Sequence, residues 1–173
     1  MSSLRESAAV EAPVADAESR LHHDDHDALR LWLRLFACTS LIERSIRTQL
    51  RESFAMTLPR FDLMAQLERA PQGLKMSELS RRLMVTGGNV TGLTDQLVSE
   101  GLVVRKRVAG DRRAQAVSLT REGRKVFRKM AEAHERWIVA LMAGLSPGER
   151  DRLYALLGRL KRGVAAMASQ ESS

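Results

Sequence analysis

The sequence predicts a mainly α-helical protein with one small β-hairpin, the hairpin set between long helices at the two ends of the chain. Three observations carry this. Apolar residues recur at helical spacing over about 27–54 and, with one break, over about 121–168. Shorter amphipathic segments between them are punctuated by capping residues and turn signals. Two β-prone runs, Leu102–Val108 and Ala114–Leu119, enclose Ala109-Gly110-Asp111-Arg112-Arg113, which reads as a charged hairpin tip.

Residues 1–24 are rich in Ala, Ser, Glu and Asp without a sustained period and read as a mobile tail, leaving residues 25–173 as a single domain. From Asp27 to Phe54 there is no proline or glycine. Leu29, Trp32, Leu33, Phe36, Ala37 and Leu41 mark one helical face, widened by Leu31, Leu35, Cys38 and Ile42. A stripe that broad implies two partners, the helix's own core and another subunit. Pro59 suits the first turn of a second helix carrying Phe61, Leu63, Met64 and Leu67, which the Ala70-Pro71-Gln72-Gly73 break ends. Ser77 is expected to cap a short third helix to Leu83. Thr86 is expected to cap a fourth, to about Glu100, with Val90, Leu93 and Leu97 inward and Gly101 as its stop. After the hairpin, Thr120 can cap a fifth helix bearing Phe127, Met130, His134, Trp137 and Leu141. Ser146-Pro147-Gly148-Glu149 is a capping box opening a sixth, expected to bury Leu153, Leu156, Leu157, Leu160 and Val164.

The chain has 28 Lys and Arg against 21 Asp and Glu, a net +7, which favours a polyanionic partner. A single cysteine excludes an internal disulfide and any zinc site built from cysteine pairs. No run of about 18 apolar residues occurs, and Met1–Ala17 lacks the basic start and apolar stretch of a secretory signal. A cytoplasmic protein off the membrane is expected. Enzymatic signatures are missing too: there is no glycine-rich phosphate loop, nucleophile elbow, or carboxylate or metal-ligand spacing, so neither catalysis nor a cofactor is expected.

Two short helices, a third capped one and a basic hairpin follow in the order of a winged helix-turn-helix, over about 58–120, whose last helix is sized for the major groove of duplex DNA. The stretch from Leu58 to Gly123 resembles the MarR family of transcriptional regulators. The resemblance rests on Ser77-Glu78-Leu79-Ser80, the Val85-Thr86 to Val90-Thr91 segment, Glu100-Gly101-Leu102-Val103, Asp111-Arg112-Arg113 and Leu119-Thr120-Arg121-Glu122-Gly123. It implies a homodimer joined through the helices at about 27–54 and 121–168, acting on a palindromic operator, most commonly as a repressor. It also implies that Arg113 enters the minor groove with Asp111 orienting it, and that Arg112 serves the backbone. Where the family often carries a long basic side chain this sequence has Gly92, so base preference does not transfer, and specificity should shift towards the wing and DNA shape.

Read from the residues, the inward set of the fourth helix turns Gly88, Thr91, Gly92, Asp95 and Ser99 outward, with Asn89 and Gln96 on the flanks, and this set, Asp95 included, is expected to face DNA and read bases. Thr91 can touch a thymine methyl, and Asn89 or Gln96 can pair with adenine. Thr86, Gly87 and Gly88 offer backbone amides to a phosphate, although the two glycines also suit a plain tight turn. Between Arg105 and Lys125 lie eight basic residues and two acidic ones, and Arg105 and Arg107 join Arg112 and Arg113 as expected phosphate contacts.

The Leu58–Met64 and Met84–Thr91 runs resemble the branch of the family that controls aromatic-acid catabolism. That implies an effector that is a small aromatic acid or its coenzyme A thioester. Arg30, Arg34, Arg44, Arg47 and Arg51 form a stripe on the first helix able to meet the thioester's phosphates, or simply a solvated face. Resemblance to a peroxide-sensing branch of the family leaves a redox-sensing regulator acting through Cys38 as an alternative, but that branch relies on tyrosines near the sulfur and the one tyrosine here is Tyr154, so Cys38 reads better as a buried small residue on an apolar helix face. The contiguous His22-His23-Asp24-Asp25-His26 lacks the helical spacing of a metal site, and His134 reads as a packed helix residue. A sequence-neutral architectural DNA binder is the other reading the charge permits.

Overall fold

A computed structural model describes residues 26–83, 87–108 and 111–170. The elements are α1 (Asp27–Phe54), α2 (Leu58–Glu68), β1 (Leu74–Lys75), α3 (Met76–Leu83), α4 (Gly87–Ser99), β2 (Val103–Val108), β3 (Asp111–Leu119), α5 (Arg121–Leu141) and α6 (Pro147–Gln170). The mainly α fold with a small antiparallel sheet is thus as expected. The tail of residues 1–24 lies outside the described residues. The chain divides into two compact units within α1, residues 1–45 and 46–173, taken separately here.

In the first unit, Leu31, Trp32, Phe36 and Leu41 are exposed, and Trp32 and Phe36 stack on each other with ring centroids 5.8 Å apart. Cys38 is exposed rather than buried, because no second element of this unit covers the stripe among the described residues.

The second unit holds the core. α2 enters at Pro59 and contributes Phe61, Leu63, Met64 and Leu67 to a buried set that also includes Leu79 of α3, Val90 and Leu97 of α4, Val103 and Val117 of the sheet, and Phe127 and Met130 of α5. Strand order is β1-β3-β2, antiparallel throughout. β1 was not expected from the sequence: its two residues form a strand only by pairing Leu74 with Val117 and Lys75 with Ala116. Because that pairing delivers the chain straight into α3, the helix starts at Met76, and Ser77 lies inside its first turn instead of capping it. The β2–β3 ladder runs from Val103↔Leu119 to Val108↔Asp111, with an irregularity at Arg107/Val108. Asp111, Arg112 and Arg113 therefore lie in β3 and not at the hairpin tip: Asp111 pairs with Val108, and Arg112 and Arg113 fall within the irregularity, between the pairings of Asp111 and Gln115.

In α4, Val90 and Leu97 are buried as expected, but the third fully buried position is Thr94, and Leu93 is half-buried. Thr94 is tolerated there because its hydroxyl donates to the Val90 carbonyl at 2.7 Å. Gly101 ends the segment with φ +71°, a conformation costly for any residue with a Cβ. Thr120 caps α5, accepting from the Gly123 amide at 2.9 Å while donating to the Gly101 carbonyl at 2.8 Å. Ser146 and Glu149 close the capping box at the start of α6: the Ser146 amide donates to Glu149 Oε2 at 2.8 Å, and the Glu149 amide donates to Ser146 Oγ at 3.4 Å. The expected burial of Leu153, Leu156, Leu157, Leu160 and Val164 is not found. No residue of α6 is buried within the single chain, since no element of the second unit packs closely over that stripe.

Candidate nucleic-acid interface

Helix α4 presents its outward face as the period requires. Gly87, Gly88, Asn89, Thr91, Gly92, Asp95, Gln96 and Ser99 are all exposed. A Cβ placed at Gly87, Gly88 or Gly92 would meet nothing within 4 Å, so this face is open at the helix start and again one turn later. The Thr91 hydroxyl donates to the Gly87 carbonyl at 3.0 Å, leaving the methyl as its uncommitted feature. Ser99 likewise turns its hydroxyl back, onto the Gln96 carbonyl at 2.8 Å. Asn89 and Gln96 remain as exposed amides. Thr86 lies outside the described residues.

The wing stands beside this face. Along β2, Val103 is buried and Lys106 exposed, as strand alternation dictates. Arg105 shares the inner face with Val103 and reaches across to α4, where its Nη1 lies 2.6 Å from Asp95 Oδ1. Two residues expected to face DNA independently are thus joined to each other. Backbone pairing joins Arg107 to Gln115 and Asp111 to Val108, and Arg112 and Arg113 lie in β3 between those two pairings; the side chains of Arg107, Asp111, Arg112 and Arg113 lie outside the described residues.

Three ion pairs, two of them on Glu78, brace the lobe. Glu78 binds both Arg81 and Arg82, the latter at 2.7 Å. Its carboxyl is held below the usual carboxylate range, chiefly by the Arg82 hydrogen bond; desolvation comes next and opposes it, and Arg81 adds to the lowering. Arg60, which the sequence reading missed, is buried in α2 and pairs with Glu100 just past the end of α4, while its Nε has no partner. The available signal was positional: Arg60 precedes Leu63, Met64 and Leu67 by three, four and seven residues, on the apolar face.

Between α2, α3 and α5 lies a cleft of about 480 Å³ lined by Phe61, Asp62, Arg69, Arg82, Phe127 and His134 among others. Phe61 stacks on Phe127 at 5.5 Å between centroids and meets His134 at 5.1 Å, so His134 is a packed helix residue as expected. Arg69 and Arg82 were not singled out in the sequence. The α1 arginines Arg30, Arg34, Arg44, Arg47 and Arg51 are all exposed; Arg30 pairs with Asp27 at 3.6 Å, and Arg34 and Arg47 are engaged in contacts of their own. Among the described residues no three His, Cys, Asp or Glu side chains gather as a metal site, and no helix is long and apolar enough to cross a membrane. His22 to Asp25 lie outside those residues.

A 13-residue helix with an open polar face, braced from behind and flanked by a basic antiparallel wing, defines a winged helix-turn-helix DNA-binding protein. Comparison with known proteins agrees. The profile of the MarR family matches residues 56–114. The HTH-type transcriptional regulator YkoM of Bacillus subtilis is 34% identical over 129 residues, covering 74% of this chain and 80% of the relative. The crystal structure of a MarR family transcriptional regulator from Silicibacter pomeroyi superposes with a TM-score of 0.69 at 33% identity, over 82% of this chain and 99% of that one. The fold is also that of Sco3205, a MarR family regulator from Streptomyces coelicolor crystallised in complex with DNA, with a TM-score of 0.71 at 22% identity over 83% and 91% of the two chains. The chain belongs to the MarR family of DNA-binding transcriptional regulators.

Proposed function

We propose that the protein is a ligand-responsive repressor that binds a palindromic operator as a homodimer and is released by a small aromatic acid or its coenzyme A thioester. The observation that carries the DNA part is the exposed α4 face beside the wing. Two such helices enter successive major grooves about one helical turn apart, with the wings in the flanking minor grooves. Asn89, Thr91 and Gln96 read base edges, while amides at residues 86–88 and the cations Arg107 and Arg112 hold phosphates. Arg113 occupies the minor groove with Asp111 orienting it. Two surfaces support a homodimer: the exposed apolar stripe of α6 and, separately, the exposed Trp32–Phe36 face of α1.

The cleft supports the effector class. Phe61, Phe127 and His134 offer an aromatic wall, and Arg69 and Arg82 offer guanidinium groups for a carboxylate or thioester oxygen. Independently of the cleft, the exposed α1 arginines Arg30, Arg34, Arg44, Arg47 and Arg51 are the cations proposed for a thioester's phosphates. The test is fluorescence anisotropy on a labelled fragment from upstream of the protein's own gene, at two salt concentrations, with and without benzoate or benzoyl coenzyme A. Site-selective binding relieved by either compound is the expected result. Selective binding indifferent to both removes the effector class, and weak binding with a steep salt slope and no preferred site favours a sequence-neutral architectural protein.

A further inference from the structure

Asp95 stands on the exposed arc of α4 together with Thr91 and Gln96, and its side chain is 55% exposed. A bare carboxylate there would face the phosphates of a duplex, where like charges about 4 Å apart repel by roughly 1 kcal/mol in water and several times more in a partly desolvated interface. As a base reader its one good use would be to accept from a cytosine amino group.

The structure gives it a different partner. Arg105 lies on the strand face that points to the core, with its side chain only 27% exposed, and its Nη1 meets Asp95 Oδ1 at 2.6 Å. The Nε of the same guanidinium is buried without a partner. A guanidinium free to choose would satisfy that donor; here its position is dictated by the carboxylate on the neighbouring element.

We propose that Asp95 reads no base and is a positioning residue for Arg105, the pair acting as a splint that fixes the angle of the wing to the recognition helix. The physical consequence is twofold. The carboxylate is neutralised before DNA arrives, so the α4 face meets phosphates without a repulsive charge. The wing strands, joined to α4 by a charged contact between side chains, carry their arginines at a set distance from the bases that α4 reads. The inference rests on the placement of α4 and wing at DNA, and its first test is independent of DNA.

Hydrogen exchange of the free full-length protein, in wild type and in Asp95→Asn and Arg105→Gln, should show faster exchange across β2 and β3 in both variants. Unchanged protection in either overturns the splint, whatever the protein does with DNA. Anisotropy on the operator and on its single base-pair variants then separates positioning from reading. Each single variant should lose roughly tenfold or more in affinity, the size expected for loss of a charge-assisted contact. The double variant should lose little beyond either single, the sign of residues acting as one unit. Asp95→Glu should recover part of the loss, and the ranking of base-pair variants should be unchanged. Additive losses, or a preference altered at one base pair only in Asp95→Asn, would make Asp95 a base reader and overturn the proposal.

Discussion

Leu63, Met64, Leu67, Val90 and Leu97 in α2 and α4 are at most 1% exposed, while Leu153, Leu156, Leu157 and Leu160 in α6, at comparable helical spacing, are 40–50% exposed. Both sets announce a face to be buried. Only the first is buried by the chain itself. Fully burying one leucine is worth about 1.5–3 kcal/mol, so four left open on one helix are the surface that the proposed homodimer would cover. The difference teaches that an apolar period states that a face will be covered and is silent on what covers it.

The sharpest way to break this comparison is a charge in the α6 stripe. Leu160→Asp should convert a dimer to a monomer by light scattering and, by removing the second half-site contact, lower operator affinity by about 10²–10⁴-fold. A variant that stays dimeric would move the interface elsewhere. In the self-sufficient region the expected loss is of stability instead. Leu97→Ala should cost about 2–5 kcal/mol in urea unfolding, a change that does not depend on protein concentration, whereas any loss from truncating the α6 leucines should.

Local chemistry made much of this legible. Thr120 and the Ser146–Glu149 box are complete within four residues of sequence, so both helix starts were readable. The exposed arc of α4 followed from its period, because its inward residues and their supports lie within a few turns. What escaped depends on distant chain. β1 has no strand signal and exists through Val117 and Ala116, more than forty residues away. The same hairpin pairs Asp111 with Val108 and carries Arg112 and Arg113 into β3, since a hairpin's turn is fixed only when both registers are known. Arg60 is charged, and nothing local says that Glu100 will be there to receive it. Asp95 and Arg105 were each readable as facing DNA. Their pairing needed the three-dimensional return of β2 over α4.

Glycines sharpen the same contrast at smaller amplitude. A Cβ at Gly123 in α5 would lie 1.9 Å from the Leu102 carbonyl oxygen, a backbone atom that cannot turn aside, whereas one at Gly163 in α6 would meet nothing within 4 Å. Gly123→Ala should therefore force α5 off the α4–β2 junction and cost about 1–3 kcal/mol or more, as overpacking does. Gly163→Ala should do the reverse and stabilise by up to about 1 kcal/mol, the helix-interior gain of alanine over glycine. Thermal melts of the two variants check the pair. A destabilising Gly163→Ala would mean that a partner's side chains pack against that very position.

The two capped helix starts give the smallest effect and differ in their response to pH. Ser146→Ala should cost about 1 kcal/mol at neutral pH, as N-cap losses do. The Glu149 carboxyl is held below its usual 4.5 by the Ser146 side-chain hydrogen bond first and the Ser146 backbone amide second. A carboxyl so lowered binds fewer protons folded than unfolded, so its contribution is fully present above 4.5 and fades as pH falls through the lower folded value. The gap between wild type and Ser146→Ala should accordingly narrow in acid without closing, because the Glu149 amide still donates to Ser146 Oγ. Thr120 bonds only backbone groups, the Gly123 amide and the Gly101 and Leu102 carbonyls. Thr120→Ala should cost a similar amount or somewhat more, up to about 2 kcal/mol, and keep that cost unchanged across the same acid range. A Ser146→Ala difference that is equally flat would show that Glu149 contributes nothing to the α6 start as a charge, and that the hydroxyl alone caps it.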